Sequence, residues 1–194
     1  MQTYILASGN KGKLAEFREL LKDDEVLTMK EIGFTEEIVE DGNSFEENAL
    51  IKAKAIQEFL KKSWKVWIVL ADDSGLCVES LNGAPWIYSW RYAGPEEDSS
   101  KNRKKLLAAL QNIEKRNAYF ICCLVEYFPD DTYKVFEGKT FWTILKEEKG
   151  ENGFWYDSLF LSDDLGKTFA EATPEEKNAV SHRGRAIQKF LESL

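Results

Sequence analysis

Short apolar runs and helical stripes take turns along the chain. Tyr4 to Ala7 is apolar throughout, Ser8-Gly9-Asn10 breaks the run, and Leu14, Phe17 and Leu21 then recur at i, i+3 and i+7. That order predicts strand, turn and helix, with the charged stretch 22–25 closing the helix. Residues 26–42 show no clear period and are expected to be loop with short extended pieces. From Phe45 to Lys62, the stripe Phe45, Ala49, Ala53, Ile56 and Leu60 marks the buried face of a long helix. Ser44 and Glu47 supply a capping box at its start.

Val66 to Ala71 is a near-continuous apolar run, the pattern of a strand covered on both faces. Asp72-Asp73-Ser74-Gly75 is expected to interrupt it before Leu76-Cys77-Val78 resumes. Residues 82–96, punctuated by Asn82-Gly83, Pro85 and Gly94-Pro95, read as loop. Asp98 to Leu110 reads as a helix with Leu106, Leu107 and Leu110 inward. Tyr119 to Phe128 alternates, with Tyr119, Ile121, Cys123, Val125 and Tyr127 on one face. Pro129-Asp130-Asp131 turns and Tyr133 to Phe136 returns, a hairpin signature, with a further strand expected at Phe141 to Leu145. Thr173-Pro174-Glu175-Glu176 opens a helix with an N-cap, proline at N1 and glutamate at N3. Ile187, Phe190, Leu191 and Leu194 stripe the last helix. The pattern is mixed α/β, an extended and partly antiparallel sheet with helices on its faces.

Composition works mainly by exclusion. With 194 residues, 43% hydrophobic and 31% charged, the chain can fill a core and is no disordered tail. Its 26 basic and 34 acidic side chains leave a net charge of −8. That argues against gripping nucleic acid or an anionic membrane through the overall field, and leaves room for a small anion held by a few cations. Three cysteines, two of them adjacent (Cys122 and Cys123), offer neither a disulfide framework nor a CxxC zinc spacing, which fits a reducing cytoplasm. No window approaches the ~18 apolar residues of a membrane span, and the opening MQTYILASGN lacks the basic region of a signal peptide. The expectation is a cytoplasmic protein with neither nucleic-acid nor membrane partners.

Five segments carry candidate chemistry. SGNKGK at residues 8–13 joins a strand to a helix N-terminus, whose amides and dipole suit a phosphate, with Lys13 adding charge. It is not a Walker loop, and an ordinary βα turn reads the same way. Asp72 and Asp73 follow a buried strand; adjacent carboxylates suit a hard cation such as Mg²⁺, and Asp-Asp-Ser-Gly suits a polar turn equally. Glu40 and Lys52 flank the start of the capped helix, as a further metal ligand and phosphate contact or as solvated charges. Gly153-Phe154-Trp155-Tyr156-Asp157 offers aromatics for a nucleobase and an acid for its edge, or aromatics for a core strand. His182, the single histidine, stands with Arg183 at a turn before a helix, able to donate to an oxygen-rich ligand or to cap the helix before it.

In this order, SGNKGK, EDGNSFEENALIKAKA, ADDSGLCVESLNGAP, GFWYD and EEKNAVSHRGRA resemble the motifs of the inosine triphosphate pyrophosphatase family. These are the Ham1-type purine nucleoside triphosphate pyrophosphatases, and the resemblance runs from Thr3 to about Phe190. It implies an α/β fold with a long mixed central sheet flanked by helices. It further implies one domain over residues 1–194 with two lobes and an active-site cleft between them, usually as a homodimer. The implied reaction is hydrolysis of ITP, dITP and XTP to the monophosphate and pyrophosphate with Mg²⁺, cleansing the nucleotide pool.

Position by position, the resemblance assigns Ser8, Gly9, Asn10, Lys11, Gly12 and Lys13 to the triphosphate, with Lys52 beside them and Lys13 also catalytic. Glu40 and Asp73 would bind Mg²⁺, Asp73 would accept the proton of the attacking water, and Ser74 would touch the substrate. Phe154 would stack on the purine, and Trp155, Tyr156, Asp157, Lys177, His182 and Arg183 would complete the base and ribose pocket. Trp155 and Trp86 stand where the family commonly has glycine, and Ser158 where it often has proline. These departures spare the phosphate and metal residues and leave base specificity open. A Maf-like pyrophosphatase of altered specificity, another metal-dependent phosphoesterase, and a nucleotide sensor without catalysis are the competing readings.

Overall fold

The computed structural model describes residues 2–153 and 155–194. Among them, six strands form one sheet: β1 (Thr3–Leu6), β2 (Glu25–Thr28), β3 (Ile68–Val78), β4 (Asn117–Tyr127), β5 (Tyr133–Ile144) and β6 (Phe160–Ser162). Their spatial order is β2-β1-β3-β4-β5-β6. Five α-helices accompany them, besides three short 3₁₀ helices: α1 (Lys11–Leu20), α2 (Phe45–Lys62), α3 (Ser99–Ala109), α4 (Pro174–Val180) and α5 (His182–Leu191). β1 pairs in parallel with both β2 and β3, so Ile5 faces Leu27 on one side and Val69 on the other. Parallel neighbours need crossovers, which α1 and α2 supply. β5 and β6 are antiparallel, which makes the sheet mixed.

The strongest local signals fold where they were expected. α2 spans Phe45–Lys62, with Phe45, Ala49, Ala53, Ile56 and Leu60 buried. Ser44 Oγ accepts from the Glu47 amide, while Glu47 reaches back one residue further than in the usual box, to the Asn43 amide at 2.6 Å. α4 carries the full reciprocal box between Thr173 and Glu176, with Pro174 in its first turn.

Elsewhere tertiary contacts overrule local pattern. β3 does not break at residues 72–75: it is one eleven-residue strand in which Asp72, Asp73 and Ser74 are all buried. Turn propensity loses there because sheet pairing holds the backbone and because Asp72 and Asp73 meet the cationic and amide partners described below. β5 is likewise one strand rather than two pieces, and its polar middle includes a buried Thr140 whose hydroxyl donates to the Val180 carbonyl. β4 is buried on both faces from residue 120 onward, not on one alternating face. β2 lies within the stretch expected to be mostly loop; with Val26 its one buried residue, it shows too little apolar pattern to declare itself. Leu194 lies beyond α5 and is 68% exposed, so the stripe of the last helix ends before it.

The described chain divides into two units, one of residues 1–73, 122–137 and 186–194, the other of 74–121 and 138–185. The first has two apolar clusters, one around Phe17, Leu70, Leu124 and Phe190, the other around Ala49, Ile56, Val69 and Val125. The second is built on aromatics, with Phe120 edge-on to Trp142 and Phe160 and Phe169 beside them. Each such buried side chain contributes about 1.5–3 kcal/mol. Cys77, Cys122 and Cys123 are buried free thiols. Among the described residues, no helix is long and apolar enough to cross a membrane.

Candidate active site

In the first unit, β3 delivers its two acids to different lysines. Side chains alternate along a strand, so Asp72 and Asp73 point to opposite faces. Asp72 is fully buried and receives Lys13 from α1, with Nζ 2.8 Å from Oδ2. Asp73 receives Asn48 and Lys52 from α2: the Asn48 amide donates to Oδ2 at 3.0 Å, and Lys52 Nζ lies 3.9 Å from Oδ1. Lys52 also donates to Glu40 Oε2 at 2.6 Å. Glu40 and Asp73, far apart in sequence, therefore meet at one ammonium group.

The electrostatics follow from this crowding. Burial pushes the Asp73 carboxyl above the ordinary aspartate value, against the opposing pull of Lys52, Lys13 and the Asn48 amide. Burial by itself would lower the Lys52 ammonium, but the carboxylates of Asp73, Glu40 and Asp72 outweigh it and hold it above the usual lysine value. Two ammonium groups against three carboxylates leave one negative charge in excess, which a cation would offset. Glu40 and Asp73 are hard oxygen donors, and Mg²⁺ commonly takes one or two protein carboxylates together with substrate phosphates. The donor set fits that ion. No group of three or more His, Cys, Asp or Glu residues among those described forms an all-protein cage.

The 8–13 segment caps α1 and sends one side chain, Lys13, to the acids of β3. Asn10 is the N-cap of α1, and its Oδ1 accepts from the amides of Gly12 and Lys13 at 2.8 and 3.2 Å. Those two amides are spent on the cap rather than open to a phosphate, which corrects the expectation of unpaired amides there. Ser8 Oγ accepts from the Asn10 amide at 3.2 Å. Gly9 and Lys11 are exposed, and Gly12 is half-buried. Lys13 alone of this stretch reaches into the acid cluster.

In the second unit, Asp157 and Lys177 form a buried ion pair at 3.0 Å. Phe154 lies outside the described residues. Trp155 is half-buried with a φ of 57°, a left-handed backbone unusual for a bulky residue, and its carbonyl accepts from Arg103 at 2.9 Å. Tyr156 is buried in the core with its hydroxyl donating to the Ser89 carbonyl, so it anchors the segment instead of presenting a polar group. Trp155 and Tyr156 thus form a turn leading into a short 3₁₀ helix (Asp157–Leu159), not a core strand. A cavity of about 140 Å³ opens beside it, lined by Arg103, Glu148, Asn152, Trp155, Asp157 and Ser158.

His182 and Arg183 are the first residues of α5, not a turn before it, and both are buried. The His182 ring stacks on Phe120 with centroids 4.8 Å apart. Gly184 makes this placement possible: a Cβ there would lie 1.8 Å from the Asn178 carbonyl oxygen of α4. Ser181 caps the new helix by accepting from the Gly184 amide at 3.0 Å.

Sequence reasoning missed Asn48 and gave Asp72 no partner. Asn48 looked like one more polar residue of a helix, though its place one turn before Lys52 on the same face was a usable signal.

A mixed sheet thus carries two neighbouring buried acids on β3, each met by a lysine from one of the first two helices. The chain belongs to the Ham1 family, whose model matches residues 4–193. It is 47% identical to a dITP/XTP pyrophosphatase of Clostridium perfringens, covering 100% of this chain and 98% of that protein. Among solved structures, the Staphylococcus aureus Ham1 protein superposes with a TM-score of 0.87 at 40% identity, covering 99% of each chain. A Coxiella burnetii HAM1 protein gives 0.88 at 37% identity, covering 100% of this chain and 98% of that one.

Proposed function

We propose that this protein hydrolyses non-canonical purine nucleoside triphosphates, ITP, dITP and XTP, to the monophosphate and pyrophosphate. The observation that carries the reading is the meeting of Glu40 and Asp73 at Lys52, with Lys13 on the neighbouring acid Asp72. The family relationship and the names of its relatives support the substrate class.

The chain's own groups divide the work. Asp73, made more basic by burial, orients a water toward the α-phosphorus and takes its proton, a contribution of about 10²–10⁴ in rate. Lys13 and Lys52 stabilise the charge that builds on the departing pyrophosphate. Glu40 and Asp73 are the residues that would hold Mg²⁺, which when bound neutralises phosphate charge. At the base end, Asp157, Lys177, His182 and Arg183 supply polar groups for the purine and ribose. Arg183 donates to a 6-oxo group, whereas the 6-amino group of adenine would meet a donor with a donor. The reading includes a homodimer, supported by the family resemblance, and a reducing cytoplasm, supported by three buried free thiols.

The test is pyrophosphate release from ITP, XTP, dITP, GTP, ATP and dUTP, with and without Mg²⁺. Release of pyrophosphate from the 6-oxo purine substrates, dependent on Mg²⁺, is the expected result. Orthophosphate as the product, or equal rates across the panel, overturns it. Trp155, in its left-handed backbone position beside the cavity, is the observation that favours a second reading in which base preference is shifted; preferential turnover of dUTP would select that reading.

A further inference from the structure

Asn48 is 2% exposed and sits in the first turn of α2, and both ends of its amide are used. Nδ2 donates to Asp73 Oδ2 at 3.0 Å, and Oδ1 accepts from the Gly42 amide at 2.9 Å. The two partners fix the orientation of the amide, because a carboxylate takes only a donor and a backbone N–H takes only an acceptor. Gly42 is the residue that lets the 40–43 segment come so near: a Cβ there would lie 2.8 Å from both Asn48 Oδ1 and Glu47 Cβ. One turn along the same helix face, Lys52 reaches Oδ1 of the same aspartate and also Glu40.

We propose that Asn48 is a positioning residue that sets the rotation of the Asp73 carboxylate and, through Gly42, the placement of the segment carrying Glu40. Asn48 and Lys52 act as a pair, one on each oxygen of Asp73, so the carboxylate has one orientation before substrate arrives. Asn48 itself touches no reacting atom. This deepens the proposed function, since it concerns the same site and rests on that reading for its effect on turnover.

Two substitutions separate the two bonds. Asn48→Asp keeps an acceptor for the Gly42 amide and replaces the neutral donor to Asp73 by a carboxyl that repels it or shares a proton with it; Asn48→Ala loses both bonds. Asn48→Asp is expected to retain slow hydrogen exchange at the Gly42 amide, to lower the unfolding midpoint because two buried carboxyls face each other, and to lower kcat about 10–100-fold with little change in KM, a loss that persists at temperatures well below that midpoint. Asn48→Ala is expected to lower kcat as far and also to lose protection at Gly42. A wild-type kcat in Asn48→Asp, or kcat losses that simply follow the unfolding midpoint in both variants, overturns the proposal. A readout free of turnover is the exchange of the Asn48 side-chain amide protons. They are expected to be protected in the wild-type protein and released by Asp73→Ala; rapid exchange in the wild type overturns the positioning claim. Protection without pyrophosphate release from any nucleotide would sink the proposed function and leave the positioning claim standing.

Discussion

In the first unit Asp72 and Asp73 sit mid-strand and are met by lysines from two regular helices. In the second, Asp157 opens a three-residue 3₁₀ helix and meets Lys177 from a helix of seven residues. The chemical groups are the same, a carboxylate and an ammonium, but the mountings differ. Strand and long-helix positions are fixed by hydrogen-bond ladders, so the acid cluster is held to the tolerance that proton transfer needs. The stretch around Asp157 is held by individual anchors: the Tyr156 hydroxyl on Ser89, Arg103 on the Trp155 carbonyl, and a close approach of Gly153 to Asp157. Loops tolerate substitution where strands do not. Trp155, with its left-handed backbone, stands in the loop-mounted region.

The largest expected effect breaks the strand-mounted site at its centre. Asp73→Asn is expected to lower kcat by about 10²–10⁴ while nucleotide binding persists, read by pyrophosphate release and by calorimetric binding. Wild-type turnover would remove Asp73 from the role of base.

Breaking one ion pair in each unit compares the mountings directly. Lys177→Met leaves Asp157 buried without its cation, and Lys13→Met does the same to Asp72. Each is expected to cost about 3–5 kcal/mol in urea unfolding. A much smaller loss for Lys177→Met would show that the loop-mounted pair relaxes toward solvent as the strand-mounted one does not.

Arg183→Ala is expected to narrow the ITP-over-ATP ratio of kcat/KM by at least about tenfold, the worth of a hydrogen bond to a charged donor. An unchanged ratio would mean that another group reads the six-position.

The smallest effect concerns an acid of the first unit that lacks the compensation enjoyed by Asp72. Glu126 is buried on β4 with Lys134 3.7 Å away, and burial holds its carboxyl above the ordinary glutamate value. A raised value means that the fold prefers the protonated acid. The penalty is absent below the ordinary value near 4.5 and grows as pH rises through it toward the folded-state value. Glu126→Gln is therefore expected to unfold at a higher temperature than the wild type at pH 7 and at the same temperature at pH 4.

Much of this was legible in the chain itself. α2 announced its boundaries through Ser44, Glu47 and a five-residue apolar stripe, and α4 through Thr173, Pro174 and Glu176, because capping and periodicity act within a single turn or two. The motifs placed Lys13, Glu40, Lys52 and Asp73 together through family resemblance; the fold joins Glu40, Lys52 and Asp73, and sets Lys13 on the adjacent Asp72.

What the chain could not announce was which partner each polar group would take. Asp72 reads as half of a turn until Lys13, 59 positions away, is placed against it, and Asn48 is ordinary until Asp73 arrives from 25 positions along. Local order fixed the helices, the charge balance and the inventory of reactive groups. Only the packed structure decided that β3 runs unbroken through two aspartates, because the stability of a buried carboxylate depends on contacts that no stretch of neighbouring residues contains.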